Sequence, residues 1–360
     1  MRLAILSSLD SPWSYGAIEA IAKAGAEVHA FQVAGKGYID PNSPDWLDRI
    51  ASFERHVATR TVIRGGPFKY VQMGSWLRNH FKTLRPDAVL SLYAGGLGLA
   101  AIRSKAPRTV LYAVGSDVLA TRPPKAWATR RNLSMADLVV ANGQYLAEQT
   151  KKLAPHAKVR ELLLGVDTSV FVPSSKPPVP TMICTRGFSS VYNNLTILKA
   201  LALLPDDLPE WRFQFVAGGP LVESHQEWAK ANLSSTSLAR VDFIGGLASQ
   251  GVLRALQESS IFVSMSRSDG TATSLLEAMS CGLYPVLSDI PANRPWAKTL
   301  ISPDDPVALA KALEEAIRHP GVQHPSGQEA RERIVLEADS TNNMAELVKW
   351  IRDLPAKPHA

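Results

Sequence analysis

The chain has 360 residues, 46% of them hydrophobic and 20% charged, which excludes a small single binding module, a disordered chain and a fibrous repeat. Its apolar runs, such as 162–164 and 261–265, fall far short of the roughly 20 residues that span a bilayer. The net charge of +6 is uneven: residues 1–170 hold 22 Lys and Arg against 13 Asp and Glu, and the remainder 17 against 20.

The opening apolar stretch gives way at Ser7-Ser8, too early for a signal peptide, so a cytoplasmic location is expected. Cys184 and Cys281 cannot build a disulfide framework, and neither has a Cys or His at zinc-ligand spacing. No acidic residue stands between Glu54 and Asp87, where Arg55, Arg60, Arg64, Lys69, Arg78, Lys82 and Arg85 are interleaved with Phe68, Tyr70, Trp76 and Phe81. That mixture suits an anionic partner such as lipid head groups, phosphorylated glycan or nucleic acid; a solvated helix face over ordinary core aromatics is the plainer reading.

Short runs rich in Val, Ile and Leu alternate with helical periodicity, the pattern of a parallel sheet covered by helices on both faces. Strands are expected at 3–8, 27–33, 61–63, 88–92, 109–114, 138–141 and 159–164, with a clear helix over 15–24 that Gly25 stops. Residues 171–180 carry four prolines and read as a semi-rigid linker. The alternation restarts with strands at 181–185, 212–217, 241–244, 261–264 and 284–287. A closing helix over 342–352 follows, with Met344, Leu347, Val348 and Ile351 at helical spacing. The expected organisation is a first α/β domain over 1–168 joined by that last helix (342–360), a linker over 169–180, and a second α/β domain over 181–341. Two doubly wound domains of this kind place ligands outside the carboxyl ends of their strands, in a cleft.

The run from Ser264 to Val286 carries the most chemistry. A buried strand ends near Ser264, a small-residue loop follows, and a helix starts with Thr273 or Ser274 as N-cap. Its amides and dipole suit a phosphate, and Gly270, Thr271, Ala272, Thr273, Ser274 and Leu275 are the candidate phosphate-binding residues. Asp269 and Glu277 lie eight positions apart, Asp269 at the loop's entry and Glu277 in the helix's first turn. Singly, each reads as a loop or dipole partner. Together, flanking an anion site, they suit a ligand with sugar hydroxyls on either side of its phosphates.

This pattern, an acid, seven residues, then Glu277 followed by Ala278, Gly282, Pro285 and Val286, resembles the retaining family 4 glycosyltransferases of the GT-B fold. Asp269 stands where Glu is commoner. The resemblance implies two Rossmann-like domains and a nucleotide-diphosphate sugar as donor. It also implies a glycan, lipid-linked or small-molecule acceptor, and transfer with retention and without metal or cofactor. It gives catalytic roles to Arg186, Asp269 and Glu277, with Arg186 gripping the diphosphate at the end of the first strand after the linker. Ala217-Gly218-Gly219-Pro220 is similar to the family's glycine-rich donor turn, and Asp242-Phe243-Ile244-Gly245-Gly246 to the turn near the base. Trp13, Ser14, Ser116 and Asp117 are the acceptor-side candidates.

The family's second phosphate-binding lysine has no counterpart in Ser189–Asn194, where Tyr192 and Asn193 are the alternatives, and Val114 stands where His often precedes the Gly-Ser-Asp turn. The implied partners are a nucleotide sugar and an acceptor at an anionic membrane surface touched peripherally, with no nucleic acid. A non-catalytic relative, a nucleic-acid-binding protein and a nicotinamide-dependent oxidoreductase stay open. The last lacks a Gly-x-Gly-x-x-Gly after any strand.

Overall fold

The computed structural model describes residues 1–8, 12–33, 57–63, 68–174, 181–319 and 324–358. They fall into two compact units, Met1–Gly165 with Ser340–Ala360, and Val166–Asp339. Each unit is built on one sheet whose neighbouring strands all run parallel.

The first sheet has the order β3-β2-β1-β4-β5-β6-β7, from β1 (Arg2–Leu6), β2 (Glu27–Val33), β3 (Thr59–Ile63), β4 (Ala88–Ser91), β5 (Thr109–Ala113), β6 (Leu138–Ala141) and β7 (Val159–Glu161). Strand alternation sends Leu3, Ile5, Leu90 and Tyr112 to one face, against Ile18 and Ile21 of the helix Pro12–Lys23 and Leu347 and Ile351 of the helix Ser340–Asp353. Ala4, Leu6, Val89 and Leu111 go to the other face, against Met73, Leu77 and Phe81 of the helix Lys69–Leu84, Leu97 and Ala100 of the helix Gly96–Ser104, and Leu133 of the helix Lys125–Met135. Burial on both faces explains why β1, β4 and β5 read as nearly continuous apolar runs.

The second sheet has the order β10-β9-β8-β11-β12-β13, from β8 (Thr181–Cys184), β9 (Arg212–Phe215), β10 (Val241–Phe243), β11 (Ile261–Ser264), β12 (Tyr284–Ser288) and β13 (Thr299–Ile301). One face packs Met182, Phe213, Phe215 and Val263 against Ile197 and Leu201 of the helix Asn194–Leu201 and Leu309 and Leu313 of the helix Pro306–Arg318. In both sheets the chain reverses direction once, between β1 and β4 and between β8 and β11. These are the positions where open α/β sheets bind ligands.

The structure corrects several sequence expectations. β13 was not expected: it is a three-residue edge strand, partly buried throughout, too short to show a period. β7 ends at Glu161 and not at 164, because the Leu164 amide donates to Asn142 Oδ1 (2.9 Å), a side chain and not a neighbouring strand. The first helix starts at Pro12, which supplies a fixed φ and gives up no bonded amide at the first turn. Part of the proline-rich segment (175–180), and Arg55 and Arg64 of the basic run, lie outside the described residues. Among the described residues no helix is long and apolar enough to cross a membrane.

Leu347 is fully buried in the cluster that joins the last helix to the first sheet. Leu347→Ala is expected to lower stability by about 2–5 kcal/mol in chemical denaturation; a loss below about 1 kcal/mol would show that this helix is not integral to the unit.

Candidate functional site

The reversal in the second sheet lies between β8 and β11, and the loops leaving the carboxyl ends of these two strands carry Arg186 and Asp269. Thr185 and Arg186 follow β8 directly; Asp269 and Gly270 follow β11 and precede the helix Thr273–Ser280. Pairing of Ile183 with Phe262 sets the two strand ends side by side. Arg186 spans the gap. Its Nη2 donates to Asp269 Oδ2, and its Nη1 donates to Ser274 Oγ at 2.9 Å. With the two charged side chains only 12% and 21% exposed, the pair is shielded from solvent screening.

Tyr192 completes the cradle. The Arg186 guanidinium lies over its ring, 4.2 Å from the centroid. Asn194 Nδ2 donates to the Arg186 carbonyl at 3.1 Å and so fixes the backbone that carries the guanidinium. Arg186 Nε and Thr185 Oγ1 are buried and have no hydrogen-bond partner among the described residues. A buried donor left unmade costs about 1–3 kcal/mol, so these atoms are poised to meet a polar ligand.

The turn after β9 is stitched to the turn after β8. The Phe188 amide donates to Gly218 O (3.0 Å) and the Leu221 amide to Phe188 O (3.1 Å). Gly219 adopts φ +152°, and a Cβ there would stand 2.5 Å from Phe188 O, so glycine is required by both conformation and space. Gly218 is exposed beside it.

The helix Thr273–Ser280 begins differently from the expectation. Its N-cap is Ala272, with extended backbone and no side-chain cap, and Thr273 and Ser274 are its first two helical residues. Ser274 does not cap because its hydroxyl accepts from Arg186. Leu275 and Leu276 amides turn back to Ala272 O, which leaves the amides of Thr273 and Ser274 as the donors that open the helix. Leu275 is therefore core: its amide is spent and its side chain is 1% exposed. Gly270, Thr271 and Ala272 line the approach and are buried. At the other end Gly282 takes φ +81°, and the amides of Gly282 and Leu283 donate to Met279 O and Ala278 O, the double bond of a Schellman stop.

Glu277 lies in the second turn of this helix and not the first, because the helix starts at Thr273. It is half-buried, and burial pushes its carboxyl up to about 7 against the opposing pull of Arg186. Burial likewise raises the Asp269 carboxyl above its ordinary range, and Arg186 and the Gly270 amide only partly offset this. The two carboxyls that the sequence paired thus both sit in a desolvated place beside one cation, the setting in which titration is tuned by a ligand.

Asn193, an alternative for the absent lysine, is committed elsewhere. It sits in the left-handed region (φ 55°), and its Nδ2 donates to Pro303 O at 2.6 Å. Arg267, from the candidate loop itself, turns away from Arg186 toward Ser190 O (2.9 Å) and Asp304. Of the two alternatives for the lysine, Tyr192 is therefore the one that reaches the site, and it does so through Arg186. The sequence signalled it only as an aromatic six positions after the arginine.

In the first unit the acceptor-side residues divide. Asp117 is fully buried, and its carboxylate accepts the amides of Ala94 (2.8 Å), Gly115 (2.9 Å) and Val114 (3.1 Å), which ties the loop after β4 to the loop after β5. Ser116 is exposed and bonds the Tyr93 hydroxyl at 3.0 Å. Ser14 is buried against the Ser7 hydroxyl, and Trp13 is partly buried on the core.

Comparison with known proteins places the chain among glycosyltransferases. Residues 15–170 match a family model described as Glycosyltransferase Family 4, and residues 180–319 one described as Glycosyl transferases group 1. The chain is 27% identical over 179 residues to GDP-mannose:cellobiosyl-diphosphopolyprenol alpha-mannosyltransferase of Xanthomonas campestris, covering 48% of this chain and 46% of that protein. It is 28% identical over 169 residues to a phosphatidylinositol N-acetylglucosaminyltransferase component of Arabidopsis thaliana, covering 45% and 37%. The aligned stretch thus spans less than half the length of either relative. Among solved structures, Anabaena HepE in complex with UDP and glucose superposes with a TM-score of 0.78 at 16% identity, over 98% of this chain and all of that one. Sucrose-phosphate synthase from Thermosynechococcus elongatus does so with a TM-score of 0.78 at 17%, over 98% and 99%.

The Glu277 shift fixes a sign for stability against pH. Between about 4.5 and about 7 the unfolded chain has released this proton and the folded chain holds it, so stability falls as pH rises through that window. Glu277→Gln removes the loss. Its melting temperature relative to the parent is expected to climb through the window and level off above it; a constant difference would contradict the assigned burial.

Proposed function

The chain belongs to the family 4 glycosyltransferases and has the GT-B fold, and on that premise we propose that it transfers a sugar from a nucleotide-diphosphate sugar to a lipid-linked acceptor. The observation that carries the donor half is the junction of Arg186, Ser274 and Asp269 at the switch point of the second sheet. A diphosphate there meets the guanidinium, the amides of Thr273 and Ser274 and the positive end of the helix dipole. The acceptor half is supported by the relatives, whose names specify a diphosphopolyprenol and a phosphatidylinositol acceptor.

In the proposed reaction the bond between the anomeric carbon and the diphosphate oxygen breaks as the acceptor oxygen bonds to that carbon. The acceptor's proton leaves with the departing diphosphate. Negative charge grows on the leaving group, so stabilisation falls to preorganised donors: Arg186 and the helix amides. Asp269 holds hydroxyls of the donor sugar, and Glu277 those of the ribose. Retention of anomeric configuration, the absence of an enzyme nucleophile and independence of metal belong to this proposal and rest on the family resemblance. An oxidoreductase is not favoured, since no strand is followed by the glycine spacing of a dinucleotide site and both units match transferase models.

A thermal-shift screen of nucleotides and sugar nucleotides tests the donor assignment. A ligand at one hundred times its dissociation constant adds about 2.7 kcal/mol of stability. At least one nucleoside diphosphate is expected to do so for the parent chain and not for Arg186→Ala, and Arg186→Ala is expected to lose about 100-fold or more in transfer rate. Full activity of that variant would overturn the site.

Tyr192 acts as a positioning residue for Arg186. Tyr192→Phe is expected to transfer sugar at near the parent rate, whereas Tyr192→Ala loses about tenfold in kcat/KM. Equal losses in both variants would point instead to the hydroxyl.

A further inference from the structure

We infer that the helices Lys69–Leu84 and Lys125–Met135 of the first unit form a surface that docks onto an anionic phospholipid bilayer. Three features of the unit carry this. The first is charge: residues 68–136 hold eleven Lys and Arg and two acids, Asp87 and Asp117. Asp117 is buried with its carboxylate saturated by backbone amides, and Asp87, before β4, accepts the Arg2 amide at 2.7 Å. Arg78, Lys82, Lys125, Arg130 and Arg131 are exposed and have no acidic partner among the described residues.

The second feature is apolar. Among the described residues of this unit, the exposed large hydrophobic side chains are Phe68 (72%), Trp127 (68%), Met135 and Trp76. All four lie on these two helices or on the residue that opens one of them. A core has no use for them there, and scattered surface residues do not gather on two elements with three aromatics among four.

The third feature is placement. The helix Lys125–Met135 buries Thr129, Asn132 and Leu133, which turns Trp127 and Arg131, one helical turn apart, together toward solvent with Arg130 beside them. The helix Lys69–Leu84 packs on Gly96–Ser104 so closely that a Cβ on Gly74 would meet Arg103 at 2.5 Å, and Lys125–Met135 packs on the same helix, where Asn132 Nδ2 donates to Gly95 O at 2.8 Å. All three helices cover one face of the sheet. Their amino ends bring Phe68, Lys69, Arg122, Lys125 and Trp127 to the edge where the strands end.

Aromatics and unpaired cations mixed along two helices that cover one face of a sheet are the chemistry of a bilayer interface: rings seat at head-group depth, and Lys and Arg meet lipid phosphates while their stems lie on apolar surface. Nucleic acid would use the charge equally, but it offers nothing to Met135 and prefers rings set as a stacking platform, whereas Trp76 already has His80 stacked on one face (4.7 Å). The purpose of docking rests on the lipid-linked acceptor proposed above; the surface itself does not.

The test is sedimentation of the full chain with vesicles of phosphatidylcholine alone and with added phosphatidylglycerol, in low and high salt. Binding is expected only with phosphatidylglycerol and to weaken with salt. Arg130→Glu with Arg131→Glu should lower the apparent affinity by more than about tenfold, at roughly a factor of five per surface charge. Phe68→Ala with Trp127→Ala should lower it several-fold. Both variants are expected to keep the parent melting temperature and the nucleotide-induced thermal shift, which separates failure of docking from failure of the donor site. No binding to anionic vesicles, binding that the charge reversals leave unchanged, or salt-dependent binding to a single-stranded RNA with vesicles ignored would each overturn the inference.

Discussion

A buried guanidinium that serves two loops at once is the constraint on which the donor-side geometry depends. Arg186 leaves the end of β8, and its two terminal nitrogens are divided between Asp269 from the β11 loop and Ser274 from the helix that follows. Lysine, a point charge, lacks the planar fork that serves both positions and stacks on the Tyr192 ring. The arrangement also explains why the helix start is uncapped. The serine that would close it is turned to Arg186, and two amides are left facing the place where an anion would sit.

Much of this was legible in the sequence. Continuous runs of buried residues marked β6 and β11 to the residue, because strands buried on both faces leave no polar alternation to blur their ends. The spacing of Asp269, Glu277, Gly282 and Pro285 pointed to a strand, a loop and a helix with a glycine stop, and the stop is visible in the φ of +81° at Gly282.

The rest was written in three-dimensional contacts that carry no local signature. Whether Ser274 caps its helix or serves an arginine 88 residues away is decided by sheet order. That order also separates Tyr192 from Asn193: both are polar residues of one loop, yet one supports Arg186 and the other is spent on Pro303 O. Asp117 read as an acceptor-side candidate because Gly-Ser-Asp is a turn motif; its saturation by three amides shows it holding two loops of the first unit together. The short edge strand β13 escaped notice for want of length.

The most direct test of the central claim is a crystal structure of the chain soaked with a nucleotide-diphosphate sugar that stabilises it. The account predicts that the Arg186 guanidinium releases Asp269 to bond the diphosphate, that the amides of Thr273 and Ser274 bond it too, and that the freed carboxylate turns to the sugar. A nucleotide bound elsewhere, with the bond from Arg186 to Asp269 intact, would contradict it.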